Sequence, residues 1–262
     1  MRVFGQRQEA AMAEEHGIRI NKYLSGAGIC SRREADREIA QGNVRINGRT
    51  AQPGDRVSAA DRVQFGGREV VPETEEILLV MNKPRGIVCT TDKREKNNII
   101  DYLQYPKRIY TVGRLDKDSE GLILLTNQGD LVNRIMRAAN GHEKEYVVTI
   151  DRPVTEEFLK KMRAGVYLKE LDVTTRRCKA RKSGKYTFHI ILTQGYNRQI
   201  RRMCEACGCR VQRLKRIRVM NIRLGDLKAG AYRPVTEEEL RELKNLIRDS
   251  RSDPYRNPDD AS

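Results

Sequence analysis

Four apolar residues in a row, Leu122-Ile123-Leu124-Leu125, follow three acids set at alternate positions, Asp116, Asp118 and Glu120. A short unbroken apolar run bounded by turn residues reads as a buried strand. Asp118, Ser119 and Gly121 supply the polar turn that feeds it. A second such run, "ILLVMNKP", predicts a strand ending at Lys83-Pro84, with another expected after Gly86. Further strands are predicted at Leu122–Thr126, Glu145–Ile150, Tyr186–Leu192 and Arg218–Ile222. Helices are predicted at Leu131–Ala138, Glu156–Ala164, Asn197–Ala206 and Glu237–Arg248. Strands outnumber helices and several are joined as hairpins. The expected class is therefore α+β, built on a mixed, mainly antiparallel sheet rather than a doubly wound one.

The front of the chain follows a different pattern. "INKYLSGAGICSRREADREIAQGNVRINGRTAQPGDRV" reads as helix, turn, helix and short hairpin. Ser31 with Glu34 three residues on is a capping box, so a helix is expected from Arg32 to about Ala40, stopped at Gly42. Asn47-Gly48 is the preferred pair for a tight type I′ hairpin. So small a unit suits a binding module, with Arg32 and Arg33 displayed at a helix start. "VVPETEE" then interrupts the pattern as a linker. The organisation expected is a flexible leader at 1–17, a binding unit at 18–69, a linker at 70–76, a larger domain at 77–248 and a disordered tail at 249–262.

Charge narrows the partner. The 262 residues carry 51 Lys and Arg against 36 acids, a net +15. The excess is clustered: fourteen Lys/Arg face the single acid Glu205 between Arg176 and Arg218. A concentration of that kind points to a polyanion. No apolar run is long enough to span a membrane, and the first residues lack the apolar core of a secretory signal, so a cytoplasmic protein is expected. "CEACGC" has no second Cys or His pair to complete a zinc tetrahedron. The six cysteines are expected to be reduced. The acidic loop fits the opening of a calcium loop, including a glycine at the sixth place, but its twelfth place is Asn127 rather than a bidentate Glu. No metal is expected. Arg114-Leu115-Asp116 remains open on local grounds between a structural ion pair and a catalytic carboxylate.

Motifs in order add a resemblance. "GRLDKDSEGLILLTN" is similar to the catalytic signature of the ribosomal RNA pseudouridine synthase family, of the small-subunit-synthase A type. "NKPRGIV" (Asn82 to Val88) resembles that family's first motif, "KEYVV" (Lys144 to Val148) its tyrosine-bearing strand, and "GYNRQIRRM" (Gly195 to Met203) its third motif. Ile18 to about Phe65 resembles the S-four RNA-binding domain.

The resemblance implies an isomerase with no cofactor and no metal, acting on a uridine in a stem-loop of large-subunit (23S) ribosomal RNA. Transfer RNA is a further candidate substrate. It implies Asp116 as catalytic carboxylate, either attacking the anomeric carbon or removing the neighbouring ribose proton. Arg201 would be the guanidinium that favours its charged form. Tyr146 would stack on the uracil, Ile200 would close the pocket's apolar wall, and Arg114 would help extrude the base, since a base held in a duplex must be flipped out to be reached. Arg32, Arg33, Lys83, Arg198 and Arg202 would contact RNA. A monomer is expected, with no DNA and no membrane partner. The competing reading is a non-catalytic RNA-binding or ribosome-assembly factor on the same fold.

Overall fold

The computed structural model describes residues 17–92 and 94–250, so the expected leader and tail lie almost wholly outside the described residues. The chain divides between Glu76 and Ile77 into two compact units.

The front unit runs β1 (Ile18–Arg19), α1 (Ile20–Gly26), α2 (Arg32–Ala40), β2 (Val44–Ile46), β3 (Arg49–Thr50), β4 (Arg56–Val57), β5 (Val63–Phe65) and β6 (Arg68–Glu69). The capping box forms: the Ser31 hydroxyl accepts from the Glu34 N–H at 3.2 Å, and the Glu34 carboxylate accepts from the Ser31 N–H at 3.4 Å. This satisfies two backbone donors that the helix start would otherwise leave open. Asn47 and Gly48 both take positive φ, +50° and +83°, as a two-residue type I′ turn requires. The sheet order is β3-β2-β5-β6. Ile20, Leu24, Ile39, Val44 and Val63 form a core closed within this unit. Val70 is 5% exposed and belongs to that core, so the irregular stretch that reads as a linker begins only beyond it.

The larger unit carries β7 (Leu78–Lys83), α3 (Ile99–Leu103), β8 (Tyr110–Val112), β9 (Glu120–Thr126), α4 (Gly129–Met136), β10 (Lys144–Ile150), α5 (Glu156–Ala164), β11 (Tyr167–Leu168), β12 (Val173–Thr174), β13 (Lys179–Lys182), β14 (Thr187–Leu192), α6 (Gln199–Ala206), β15 (Val211–Val219), β16 (Ile222–Arg223), β17 (Tyr232–Pro234) and α7 (Glu237–Leu246). Its main sheet has nine strands in the order β13-β14-β10-β15-β9-β7-β17, with β16 added to β15 and β8 to β9. Every pairing is antiparallel except β15 with β9. This is the mixed, mainly antiparallel α+β sheet that the strand pattern predicts. The apolar run of β9 is unbroken because both faces are covered. Leu122 and Leu124 pack with Ile135 of α4 and Leu243 of α7, while Ile123 and Leu125 pack with Ile99 and Leu103 of α3.

Four local expectations are corrected. The strand after Gly86 is only a single bridge from Val88 to Asn98. Arg218–Ile222 is not one strand: Met220 turns with φ +52°, separating β15 from β16. Helix α6 starts at Gln199 rather than Asn197, because Arg198 is left-handed at φ +50°. Gly121 lies inside β9 rather than in the turn, at φ +102°, directly against the backbone of Arg216. Among the described residues no helix is long and apolar enough to cross a membrane.

Candidate active site

Asp116 sits in the connection between β8 and β9, and its backbone is pinned from several sides. Gly113 takes φ +72°, a left-handed backbone that favours glycine, and packs against the Met136 side chain. Leu115 is buried, and its N–H points at Cys89 Sγ at 3.4 Å. The Ser119 N–H donates to the Asp116 carbonyl at 3.0 Å, and the Gly86 N–H donates to the Lys117 carbonyl at 2.8 Å. The carboxylate itself makes no hydrogen bond among the described residues. Its Oδ2 faces two guanidiniums, Arg201 Nε at 3.9 Å and Arg198 Nη1 at 4.0 Å. An acid that holds nothing together, in a backbone fixed this firmly, is available for chemistry.

The two arginines differ in kind. Arg201 is 8% exposed. It donates to the carbonyls of Asp118 and Val211, each at 3.3 Å, and to the Ser119 hydroxyl at 3.5 Å. Burial, then Arg198, pulls its guanidinium below the ordinary range, while Asp116 and Asp118 push back. Arg198 stays on the accessible side, its left-handed backbone turning the side chain toward the same carboxylate. A non-glycine residue held at positive φ costs about 1–3 kcal/mol and persists where the surrounding structure requires it.

Around Asp116 lies a cavity of about 930 Å³, within the upper range for small-molecule sites. Arg114, Tyr146, Ile200 and Arg198 line it with Asp116, so the structure brings these expected residues together. Tyr146 is half-buried on β10 between β14 and β15, opposite Ile190 and Arg216. Between Glu145 and Tyr146 the pairing with β15 slips by one residue, leaving Ile217 as the extra position. Such a bulge re-aims side chains. Arg114 is exposed and makes no hydrogen bond or ion pair among the described residues. In the front unit, Arg32 and Arg33 are exposed at the start of α2.

One expected RNA contact is corrected. Lys83 is fully buried, and its ammonium donates to the carbonyls of Pro84 at 2.9 Å and Ile87 at 2.6 Å. It closes the end of β7 and cannot reach a phosphate. Arg202 is turned to the Asn197 carbonyl and to the Glu170 carboxylate, which anchors α6 within the protein. Four buried polar residues on the cavity wall escaped the sequence reading: Lys144, Gln194, Gln199 and Arg216. Lys144 had a usable signal, because it lies two positions before Tyr146 on a strand and so shares its face. Among the described residues no cluster of three or more His, Cys, Asp or Glu could hold a metal ion, and none of the six cysteines forms a disulfide.

Comparison with known proteins gives the family. Residues 77–206 match the RNA pseudouridylate synthase family model, and residues 18–63 match the S4 domain. The chain is 50% identical over 244 residues to the dual-specificity RNA pseudouridine synthase RluF of Escherichia coli (strain K12), covering 92% of this chain and 83% of that one. It is 33% identical over 235 residues to the ribosomal large subunit pseudouridine synthase B of Bacillus subtilis (strain 168), covering 87% of this chain and 96% of that one. A crystal structure of a pseudouridylate synthase superposes with a TM-score of 0.64 at 29% identity, over 87% of this chain and all of that one. The chain belongs to the RNA pseudouridylate synthase family and is an RNA pseudouridine synthase that carries an S4 domain in front of its catalytic unit.

Proposed function

We propose that this enzyme converts a specific uridine in a stem-loop of large-subunit ribosomal RNA to pseudouridine, with Asp116 as the carboxylate that opens the glycosidic bond. The observation that carries the reading is an otherwise unspent acid facing two guanidiniums at 3.9 and 4.0 Å in a cavity walled by Tyr146 and Ile200. The ribosomal target is supported by the relative named as a large-subunit synthase. The 50% identical relative is a dual-specificity RNA pseudouridine synthase, and transfer RNA is the second substrate to assay.

The reaction balances with no oxidant, reductant or donor. The C1′–N1 bond breaks and its electron pair leaves with the uracil. The ring turns, and carbon five bonds to C1′. Carbon five then loses its proton, and N1 ends with one. Asp116 either attacks C1′ or removes the C2′ proton, and both routes use the free carboxylate. Tyr146 offers a ring for the uracil to stack on. Arg114, exposed and without an ion pair, is placed to fill the gap left by a flipped base. Arg198 meets RNA and Asp116 from the same side, and Arg32 and Arg33 add phosphate contacts from the front unit. The enzyme works as a cytoplasmic monomer without DNA. Mapping pseudouridine in ribosomal RNA from cells with and without the gene tests the substrate. One large-subunit site should lose its signal when the gene is absent, and an unchanged large-subunit map with a lost transfer RNA site would reverse the substrate order.

The front unit's role gives a second expectation. Each apolar core is closed within one unit, so removing residues 1–76 should leave a folded catalytic unit. The lost segment carries ten Lys/Arg against six acids between Arg19 and Glu69. If two to four of those cations touch phosphate, the log-affinity against log-salt slope should flatten by about 2–4. The single-turnover rate at saturating RNA should fall far less than the affinity. An unchanged salt slope would remove the front unit from RNA capture. Normal binding with no turnover would mean that it orients the stem for flipping.

A further inference from the structure

Two cations lie buried in the catalytic cavity with no acid to balance them. Lys144 of β10 is 5% exposed and Arg216 of β15 is 2% exposed; both line the cavity. Arg216 Nε donates to the Leu122 carbonyl at 2.7 Å, while its Nη2 is buried without a hydrogen-bond partner. The Lys144 ammonium makes no hydrogen bond or ion pair among the described residues. Its charged neighbour is another cation, and burial, then Arg216, pulls its pKa down to about 8. Lys83 shows what a structural buried lysine looks like in this same unit: it caps two carbonyls. Lys144 caps none. The amide nitrogen of Gln194, a residue 6% exposed on the same wall, also lacks a partner.

A buried charge without a counter-charge costs stability, and two side by side cost more. Neither cation ion-pairs with Asp116, whose carboxylate is faced by Arg198 and Arg201. The bulge at Ile217 turns Arg216, and not Arg218, onto the face that carries Tyr146, while Arg218 bonds to Glu143 and Glu145. The wall is thus a set of donors awaiting an acceptor. Around it are Tyr146, Leu192 and Leu214, apolar surface that suits the faces of a planar ring better than a hydrated phosphate.

We propose that Lys144 and Arg216, with Gln194 beside them, receive the carbonyl oxygens of the flipped uracil and hold the electron pair that the ring carries after C1′–N1 cleavage. The assignment rests on the reading of the pocket given above. The pair that leaves on N1 is delocalised onto both ring oxygens, and it returns when carbon five bonds to C1′. Donors fixed in advance where that charge develops lower the barrier whichever route Asp116 takes. They also select uracil, whose ring edge offers two acceptor oxygens, over cytosine, which puts an amino donor in the place of one.

Lys144→Met is the test, since methionine keeps an unbranched chain and removes the charge. The single-turnover rate at saturating RNA should fall roughly 100-fold. RNA affinity should stay within about threefold, because the loss sits in the chemical step. The melting temperature should hold or rise, because an unpaired buried charge has been replaced by an apolar group. Lys144→Arg should recover part of the rate. A rate within about threefold of the parent enzyme overturns the proposal. So does a loss confined to affinity, which would make Lys144 a phosphate anchor, or a rate that falls only in step with a lowered melting temperature. Asp116→Asn measured alongside separates the two readings. A dead Asp116→Asn enzyme beside a fully active Lys144→Met enzyme defeats this inference alone, and activity in both defeats the pocket reading.

Discussion

Gly121→Ala should lower the stability of the catalytic unit by about 4 kcal/mol, one of the largest effects expected of any single methyl group here. Two costs add. The backbone is at φ +102°, where a side chain is strained, and the new Cβ would lie 2.2 Å from the Arg216 carbonyl oxygen and 2.8 Å from its nitrogen. Backbone at that distance cannot rotate aside as a side-chain tip would. Relief requires β9 and β15 to separate at their parallel pairing, Lys215↔Glu120 and Arg216↔Gly121. That pairing is the one join between the two antiparallel halves of the sheet, and Asp116 lies just before it. For a unit of this size, about 2–4 °C of melting temperature accompanies each kcal/mol. A drop of about 8–16 °C is expected by that scaling, measured by thermal unfolding and checked with denaturant. A loss below about 1 kcal/mol would show that the strands can part without strain.

Much of the fold could be read from residues whose reasons are local. The Ser31–Glu34 box announces α2 because the hydrogen bonds that start the helix come from the helix's own first turn. The Thr155 side chain caps α5 by accepting from the Phe158 N–H, and that helix spans the expected Glu156–Ala164. The Asn47-Gly48 turn is likewise set by two residues. The errors arise where a partner far along the chain decides. Gly121 looks like a turn glycine until β15 is laid against it. Arg216 and Arg218 are equivalent in "RLKRIRV", and the one-residue bulge at Ile217 sends the first into the cavity and the second to Glu143 and Glu145. Lys83 precedes a proline and reads as exposed, yet its strand runs between β9 and β17, and the chain folds back to offer carbonyls to its ammonium. Asp116, Tyr146 and Ile200 stand in motifs, so their gathering could be anticipated by resemblance. Of the donors on the cavity wall, Lys144 could have been placed by its spacing from Tyr146 on the strand, whereas Arg216 could not, because the bulge that turns it inward is set by pairing with a distant strand.

Asp116→Asn carries the central claim. The amide is nearly isosteric, and the carboxylate it replaces makes no hydrogen bond among the described residues. The turn is held instead by the Ser119 N–H, the Gly86 N–H and the buried Leu115. The fold should therefore survive, and the RNA surface is unchanged except for the one negative charge removed at the pocket. An amide is neither a nucleophile at C1′ nor a base for the C2′ proton, so both routes stop. Pseudouridine formation under single-turnover conditions and RNA affinity are to be measured on the same preparation. The account predicts a rate lower by at least about 10⁴-fold with a dissociation constant within about threefold of the parent enzyme. Turnover within about tenfold of the parent would contradict it and remove Asp116 from the chemistry.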